Sequence, residues 1–351
     1  MRSIPAVTTR LPQCRIAAIP AASSHILITT PPWMNPAEFA SWMLIQRISS
    51  DRERATVRCF SAMEAILVGL LCARMSRHSD ITVVIPCFNH GRFLLESVAR
   101  ALEQQGGPPK VIVVDDGSTD AETQRALEDL PDGVQLIRQR NAGVAAARNA
   151  GFENSDSELL LMVDADDRLT VDALDTLRPP LEANPDVGYC YGLMKLIGAW
   201  SGVLRFPDFD PYILLHRSIA GAQLGLVRRK CWEDSAGFDP AIDGYEDWDF
   251  CLSALEKGWR GLQIDQVTHE YRKHERSGNE EHRRRYRHVY RQLRAKHAEL
   301  FARRPEFAKQ TPLGALHRLT YRTYWAWRPI PAPVEKALYS KVLFRGRAPA
   351  E

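Results

Sequence analysis

A chain of 351 residues, 45% of them hydrophobic, has room for one large core or two ordinary ones. Its seven scattered cysteines lack CxxC spacing, which argues against a disulfide framework or a zinc site and suits a reducing, cytoplasmic setting. The net charge of +3 hides a division: from Tyr271 onward 20 Lys and Arg face 7 Asp and Glu, and before it 26 face 36.

An acidic body with a basic tail suits an anionic partner such as phospholipid or a lipid diphosphate, at the inner face of a membrane. No run reaches the ~18 to 20 apolar residues of a membrane span. The longest, Ala65 to Ala73, is closed by Arg74. Residues 1–79 contain no lysine and carry Pro, Ser, Thr and Arg clusters with little periodicity. They read as an extension outside the domain. A disordered arm, a transit-type peptide and a true start at Met75 all fit that composition.

From Asp80 the pattern sharpens. Ile81 to Ile85 is an unbroken β-branched run of the kind buried in parallel sheets. Gly91 to Gln105 reads as a helix with Phe93, Leu94, Val98, Ala101 and Leu102 on one face. Strand Lys110 to Val114 follows, then Asp115-Asp116-Gly117-Ser118-Thr119-Asp120, then a helix from Ala121 to Leu130. Strand Val134 to Arg138, helix Ala142 to Asn154 and strand Glu158 to Val163 continue the alternation. Helix Thr170 to Ala183 and strand Val187 to Tyr191 complete it. Beyond it, Gly237 to Asp249 reads as a loop, Phe250 to Lys257 as helix, Gly261 to Ile264 as strand and Glu280 to Arg304 as a charged helix. Thr320 to Phe344 interleaves aromatics with Arg and Lys.

Strand-helix alternation predicts an α/β fold, a doubly wound, mostly parallel sheet flanked by helices. The domain spans 80–278, and 279–351 forms a helical, basic and aromatic C-terminal extension. Ligands of such sheets bind beyond the carboxyl ends of the strands. The polar clusters fall there: Pro86 to His90, Asp115 to Asp120, and Asp164-Ala-Asp166-Asp167. Three carboxylates in four residues stay ionised only beside a cation, and a divalent metal holding a diphosphate supplies one. The first strand is followed by neither GxGxxG nor GxxxxGK[ST], which argues against a dehydrogenase and a P-loop NTPase.

Five motifs in order carry a resemblance. They are Val84-Ile-Pro86-x-Phe-Asn89, Val113-Val-Asp-Asp116-Gly-Ser, Asn141-x-Gly143-x-x-x-x-Arg148-Asn149-x-Gly151, Asp164-Ala-Asp166-Asp167 and Glu246-Asp247-Trp-Asp249. Over about 80–277 the chain resembles the family 2 glycosyltransferases of GT-A fold. The resemblance implies a nucleotide-sugar donor and a divalent metal, Mn or Mg. Pro86 and Asn89 would line the nucleotide pocket, and Asp115 and Asp116 would read the base, although one of the pair also reads as a turn cap. Arg148 would lie near the donor; a helix-surface ion pair is its alternative. Asp164 and Asp166 match the family's DxD motif, Asp166 for the metal and Asp164 for ribose or metal, with Asp167 left as a helix cap.

By the same resemblance Asp247 is the catalytic base, Glu246 orients the site and Trp248 forms a sugar-stacking wall. A plain helix N-terminal charge is the alternative for Asp247. Arg272 would clamp phosphate and His274 would be a third metal ligand, unless both belong to a solvated charged loop. The QxxRW signature of processive synthases is missing, so one sugar per encounter is expected. The expected activity is inverting transfer to a hydroxyl of a glycan or lipid-linked glycan. A catalytically silent sugar-nucleotide-binding or scaffold protein is the second reading. The basic-aromatic tail either lies on a membrane surface or packs on the domain. No nucleic-acid recognition module is present.

Overall fold

The computed structural model describes residues 77–199, 201–219, 225–242, 244–273 and 279–327. They belong to one compact unit, 75–351. Most of the expected N-terminal extension, residues 1–76, lies outside them. So do residues 328–351 of the tail.

Nine strands form one sheet among the described residues, in the order β3-β2-β1-β4-β8-β6-β9-β5, with β7 paired to β6. Strands β1 (Ile81–Cys87), β2 (Lys110–Asp115), β3 (Val134–Arg138) and β4 (Leu159–Met162) are mutually parallel. Helices α1 (Gly91–Leu102), α2 (Ala121–Glu128) and α3 (Val144–Glu153) connect them. The second half is mixed. Strand β8 (Leu226–Arg228) runs antiparallel between β4 and β6 (Val187–Gly198), and β9 (Arg260–Lys273) is parallel to β6. The short strands β5 (Arg168–Leu169) and β7 (Gly202–Leu204) pair antiparallel with β9 and β6.

The unbroken apolar runs follow from burial on both faces, because successive strand side chains point to opposite sides. Val83 and Ile85 of β1 join one core with Leu94 and Val98 of α1 and with Leu174 and Leu177 of α4 (Ala173–Glu182). Val84, between them, joins the other core with Ala147 and Phe152 of α3. That second core continues through α5 (Pro211–Leu214), α6 (Arg229–Asp234) and α7 (Glu246–Glu256) into α8 (Asn279–Lys296).

Four elements differ from expectation, the first being β6, which runs 12 residues where five were expected. Helix α7 starts four residues early, so Glu246, Asp247 and Asp249 form its first turn rather than a loop. Acids suit a helix N-terminus, but Tyr245 at the cap makes no side-chain cap bond, so no cap signal marks the start. Strand β9 is 14 residues long where four were expected. Its polar alternation is interrupted by irregular register against β6. The long C-terminal helix breaks at His297 into α8 and α9 (Ala298–Ala302), followed by α10 (Arg304–Gln310), α11 (Ala315–Thr320) and a π-helical turn, Tyr321–Trp325.

Glycine 151 is a packing residue. A Cβ there would overlap Val84 Cγ1, so α3 would be forced off β1. Gly151→Ala should therefore destabilise the domain by about 1–3 kcal/mol. Urea unfolding checks it: the midpoint should fall with an unchanged m-value.

Candidate active site

The ends of β1, β2 and β4 converge with the first turn of α7. At the end of β2, Asp115 Oδ1 accepts the Ser118 N–H at 2.9 Å, an Asx turn that shapes the loop before α2. Asp116 turns the other way. Its Oδ1 accepts from Gln139 Nε2 at 2.7 Å and from the Ala142 N–H at 2.8 Å, and its Oδ2 from the Gly143 N–H at 2.9 Å. The pair thus divides its work. Asp115 is the turn cap, and Asp116 fixes the loop entering α3.

Asn89 is exposed and adopts φ 57°, a left-handed conformation that asparagine tolerates better than most residues. Its Oδ1 accepts the Thr119 N–H at 2.8 Å and the Asp120 N–H at 3.2 Å, tying the β1 loop to the β2 loop. Its side-chain oxygen therefore serves the loops. Pro86 lies inside buried β1, paired with Val114, and forms the floor beneath those loops.

The acidic turn follows β4. Asp164 and Asp166 are partly exposed and Asp167 is buried. Burial, with the charges of Asp164 and Asp166 adding to it, pushes the Asp167 carboxyl up to about 9. Asp167 Oδ1 accepts the Arg272 N–H at 2.7 Å, so it ties the turn to β9 instead of capping α4. His90 Nδ1, from the β1 loop, stands 3.8 Å from Asp166 Oδ1. Sequence reasoning passed over His90, although its place at a strand end beside Asn89 was the available signal.

Arg148 joins the two acidic clusters. It is 2% exposed on α3. One guanidinium nitrogen donates to Asp164 Oδ1 at 2.8 Å and the other to Glu246 Oε1 at 2.5 Å. Both carboxylates raise its already high pKa, so the cation persists despite burial. It is a buried bridge, not the surface ion pair that was its alternative. Glu246 Oε2 is buried without a hydrogen-bond partner among the described residues. Next to it, Asp247 is also buried, and burial together with the Glu246 charge lifts its carboxyl well above the usual range while Arg148 opposes the rise.

Two expected roles are corrected by geometry. Trp248 is 0% exposed, and its indole N–H donates to the Leu214 carbonyl at 2.7 Å. Its ring packs against Tyr286 and Tyr290 of α8 at centroid distances of 6.0 and 5.9 Å. It is a core residue and presents no wall to a sugar, because the helical turn that points Asp247 toward the site sends its neighbour inward. Arg272, expected at a phosphate, is engaged by protein groups. Its Nε donates to the Asp166 carbonyl at 2.9 Å, an NH2 group donates to Glu96 Oε2 at 2.5 Å, and its guanidinium lies 4.5 Å over the Phe93 ring. These contacts hold the acidic turn from beneath. Glu96, which also pairs with Arg168, is a supporting residue that sequence reasoning missed. His274 lies outside the described residues.

Similarity to known proteins covers the part of this site carried by β1, β2, α3 and β4. Residues 82–208 match glycosyl transferase family 2. That stretch is a family 2 glycosyltransferase domain. Glycosyltransferase GlyG of Streptococcus pneumoniae is 37% identical over 151 residues, covering 41% of this chain and 50% of GlyG. The succinoglycan biosynthesis protein ExoO of Rhizobium meliloti is 28% identical over 199 residues, covering 52% and 57%. The matches thus span little more than half the length of these relatives. The structure of S. aureus TarS 1-349 superposes with a TM-score of 0.50 at 18% identity, covering 69% of this chain and 68% of that one. The fold is GT-A, a helix-flanked sheet with the acids at its strand ends.

Removing the Arg148 cation would strand Glu246 in a buried site. Arg148→Ala should cost about 3–5 kcal/mol of stability, and Arg148→Ala with Glu246→Gln should cost less than Arg148→Ala alone. Thermal unfolding of the variants checks the order. Equal stability of the single and double variants would contradict the bridge.

Proposed function

We propose that this chain is an inverting, non-processive glycosyltransferase. It moves a sugar from a nucleotide diphosphate-sugar to a hydroxyl of a glycan or lipid-linked glycan, with its basic C-terminal region against a membrane surface. The observation that carries the reading is the Arg148 bridge. It holds the acidic turn after β4 and the Glu246-Asp247 pair of α7 in one cluster. TarS has been captured with UDP-GlcNAc, and a donor of that chemical class suits the strand-end cleft of this chain.

The donor set fits a divalent cation held jointly with a diphosphate. Asp164 and Asp166 are partly exposed at a strand end, and their charge adds to the burial that raises Asp167 beside them. Hard cations take one or two carboxylates plus substrate phosphates. The cation would be shared between these carboxylates and the diphosphate of the donor. Asp166, with Asp164, would hold it. When bound it supplies charge stabilisation for the leaving diphosphate.

Asp247 is assigned the base. Its carboxylate takes the proton from the acceptor hydroxyl as that oxygen displaces the nucleotide diphosphate from the anomeric carbon. Burial makes it a stronger base than an exposed aspartate, which suits proton abstraction near neutral pH. Glu246, held by Arg148, adds the neighbouring charge that strengthens this effect. Its second oxygen is free to accept from an acceptor hydroxyl. Asp116 is engaged by three loop donors, so its part in donor binding is to shape the loop as well as to read a base edge.

Asp247→Asn should lower transfer by about 10²- to 10⁴-fold while donor affinity, read by calorimetry, changes little. Equal loss of donor binding would remove Asp247 from the base role and favour a pure binding function. The raised Asp247 pKa has two further consequences with opposite signs. Transfer should rise with pH through an inflection well above the usual carboxylate value of about 4, because only the ionised form accepts a proton. Stability should run the other way. The folded state binds this proton more tightly than the unfolded chain, so the contribution is full below about pH 4 and is lost as pH rises through the folded value. Asp247→Asn should therefore melt higher than the parent chain at pH 8, with the difference vanishing near pH 4.

A further inference from the structure

The last described helical residues of the C-terminal region have a buried and an exposed side. Residues 315–327 form a continuous helical segment through α11 and the π-helical turn. Its inner side is pinned. Tyr212 OH donates to the Arg318 carbonyl at 3.0 Å, Tyr286 OH donates to the Trp325 carbonyl at 2.7 Å, and Ala326 is fully buried. The Arg217 guanidinium lies 4.2 Å over the Trp325 ring.

The outer side carries Leu316 at 75% exposure and Leu319 at 54%, the two most exposed large hydrophobic residues among those described. They stand three positions apart on one helical face, with Thr320 and Thr323 also exposed there and Arg322 and His317 at its margins. The stretch of sequence that carries them is strongly cationic. Residues 285–327 contain ten Lys and Arg against two Glu and no Asp. An apolar pair projecting from a cationic surface is the composition of elements that lie in the membrane interface, apolar side chains entering the acyl boundary and arginines meeting anionic headgroups. A protein partner would need acids in matching number. A bilayer rich in anionic phospholipid offers both the charge and the apolar layer beneath it.

We infer that the α11 face, with Leu316 and Leu319 as inserting residues and Arg322 as a headgroup contact, is the surface by which this protein docks on anionic phospholipid bilayers. The inference extends the membrane contact in the functional reading and rests on it. The face lies close behind the candidate site. Tyr212, which holds α11, belongs to α5, and the last residue of α5, Leu214, accepts the hydrogen bond of Trp248 beside Asp247. Docking through α11 would thus hold α7 a short, fixed distance from the bilayer surface.

Flotation of the full chain with vesicles of phosphatidylcholine, with or without phosphatidylglycerol, tests the inference. The protein should float with the anionic vesicles, fail to do so with neutral ones, and be released by salt. Leu316→Ser with Leu319→Ser should weaken anionic binding by about ten-fold or more, and Arg322→Ala by roughly five-fold. All three positions are exposed, so thermal midpoints should be unchanged. Nucleotide-sugar binding by the same variants should also be unchanged, which separates a failure of docking from a failure of the glycosyltransferase reading. Absence of vesicle binding, or equal binding by the leucine variant, would overturn the inference. So would a lipid-free dimer abolished by the leucine changes, which would assign the face to a second copy of the chain.

Discussion

The Arg148 bridge is the interaction on which the rest of the site depends. A buried guanidinium is costly to desolvate, and only good geometry with two carboxylates offsets that cost. Here the partners come from opposite parts of the fold. Asp164 lies at the end of β4, and Glu246 lies 98 residues beyond Arg148 on α7. One cation therefore fixes the spacing between the acidic turn and the carboxyl assigned as base. It also sets the balance of charge. The guanidinium lies directly against Asp164 and Glu246, while Asp167 and Asp247 are left with raised pKa values by their burial.

Helix α7 is held just as firmly from its far side. Trp248 packs against Tyr286 and Tyr290. His297, buried at the α8–α9 break, reaches Asp249 and Glu256 at 2.9 Å each. Lys296 reaches the same Asp249 at 2.8 Å. The C-terminal extension is therefore part of the scaffold of the site over its described length. Every residue of the Glu246-Asp247-Trp248-Asp249 run has a distinct duty set by helical phase: one meets Arg148, one faces the site, one fills the core and one anchors α8.

Much of this was legible in the sequence. The strands β1, β2 and β4 announced themselves because burial on both faces demands unbroken apolar runs, and the acids at their ends marked the site. Gly151 and Arg148 stood out in a motif, but their partners, Val84 and Glu246, are set by tertiary contact and leave no local trace. Trp248 was misjudged because an aromatic beside acids looks like a sugar wall until the helix start is known, and Tyr245 gives no cap signal to reveal it. The length of β9 was hidden because its residues are polar or half-buried over most of the strand. Glu96 was passed over because nothing in its own neighbourhood shows that it approaches Arg272, whereas His90 had a strand-end position as its signal.

The most direct measurement is release of nucleotide from a panel of UDP-, GDP- and dTDP-sugars by the purified full chain, with Mn²⁺ or Mg²⁺ and then with EDTA. The account predicts slow, metal-dependent release from one class of donor, abolished by EDTA and by Asp166→Asn. Saturable donor binding without release under any condition, or release that EDTA leaves intact, would contradict it.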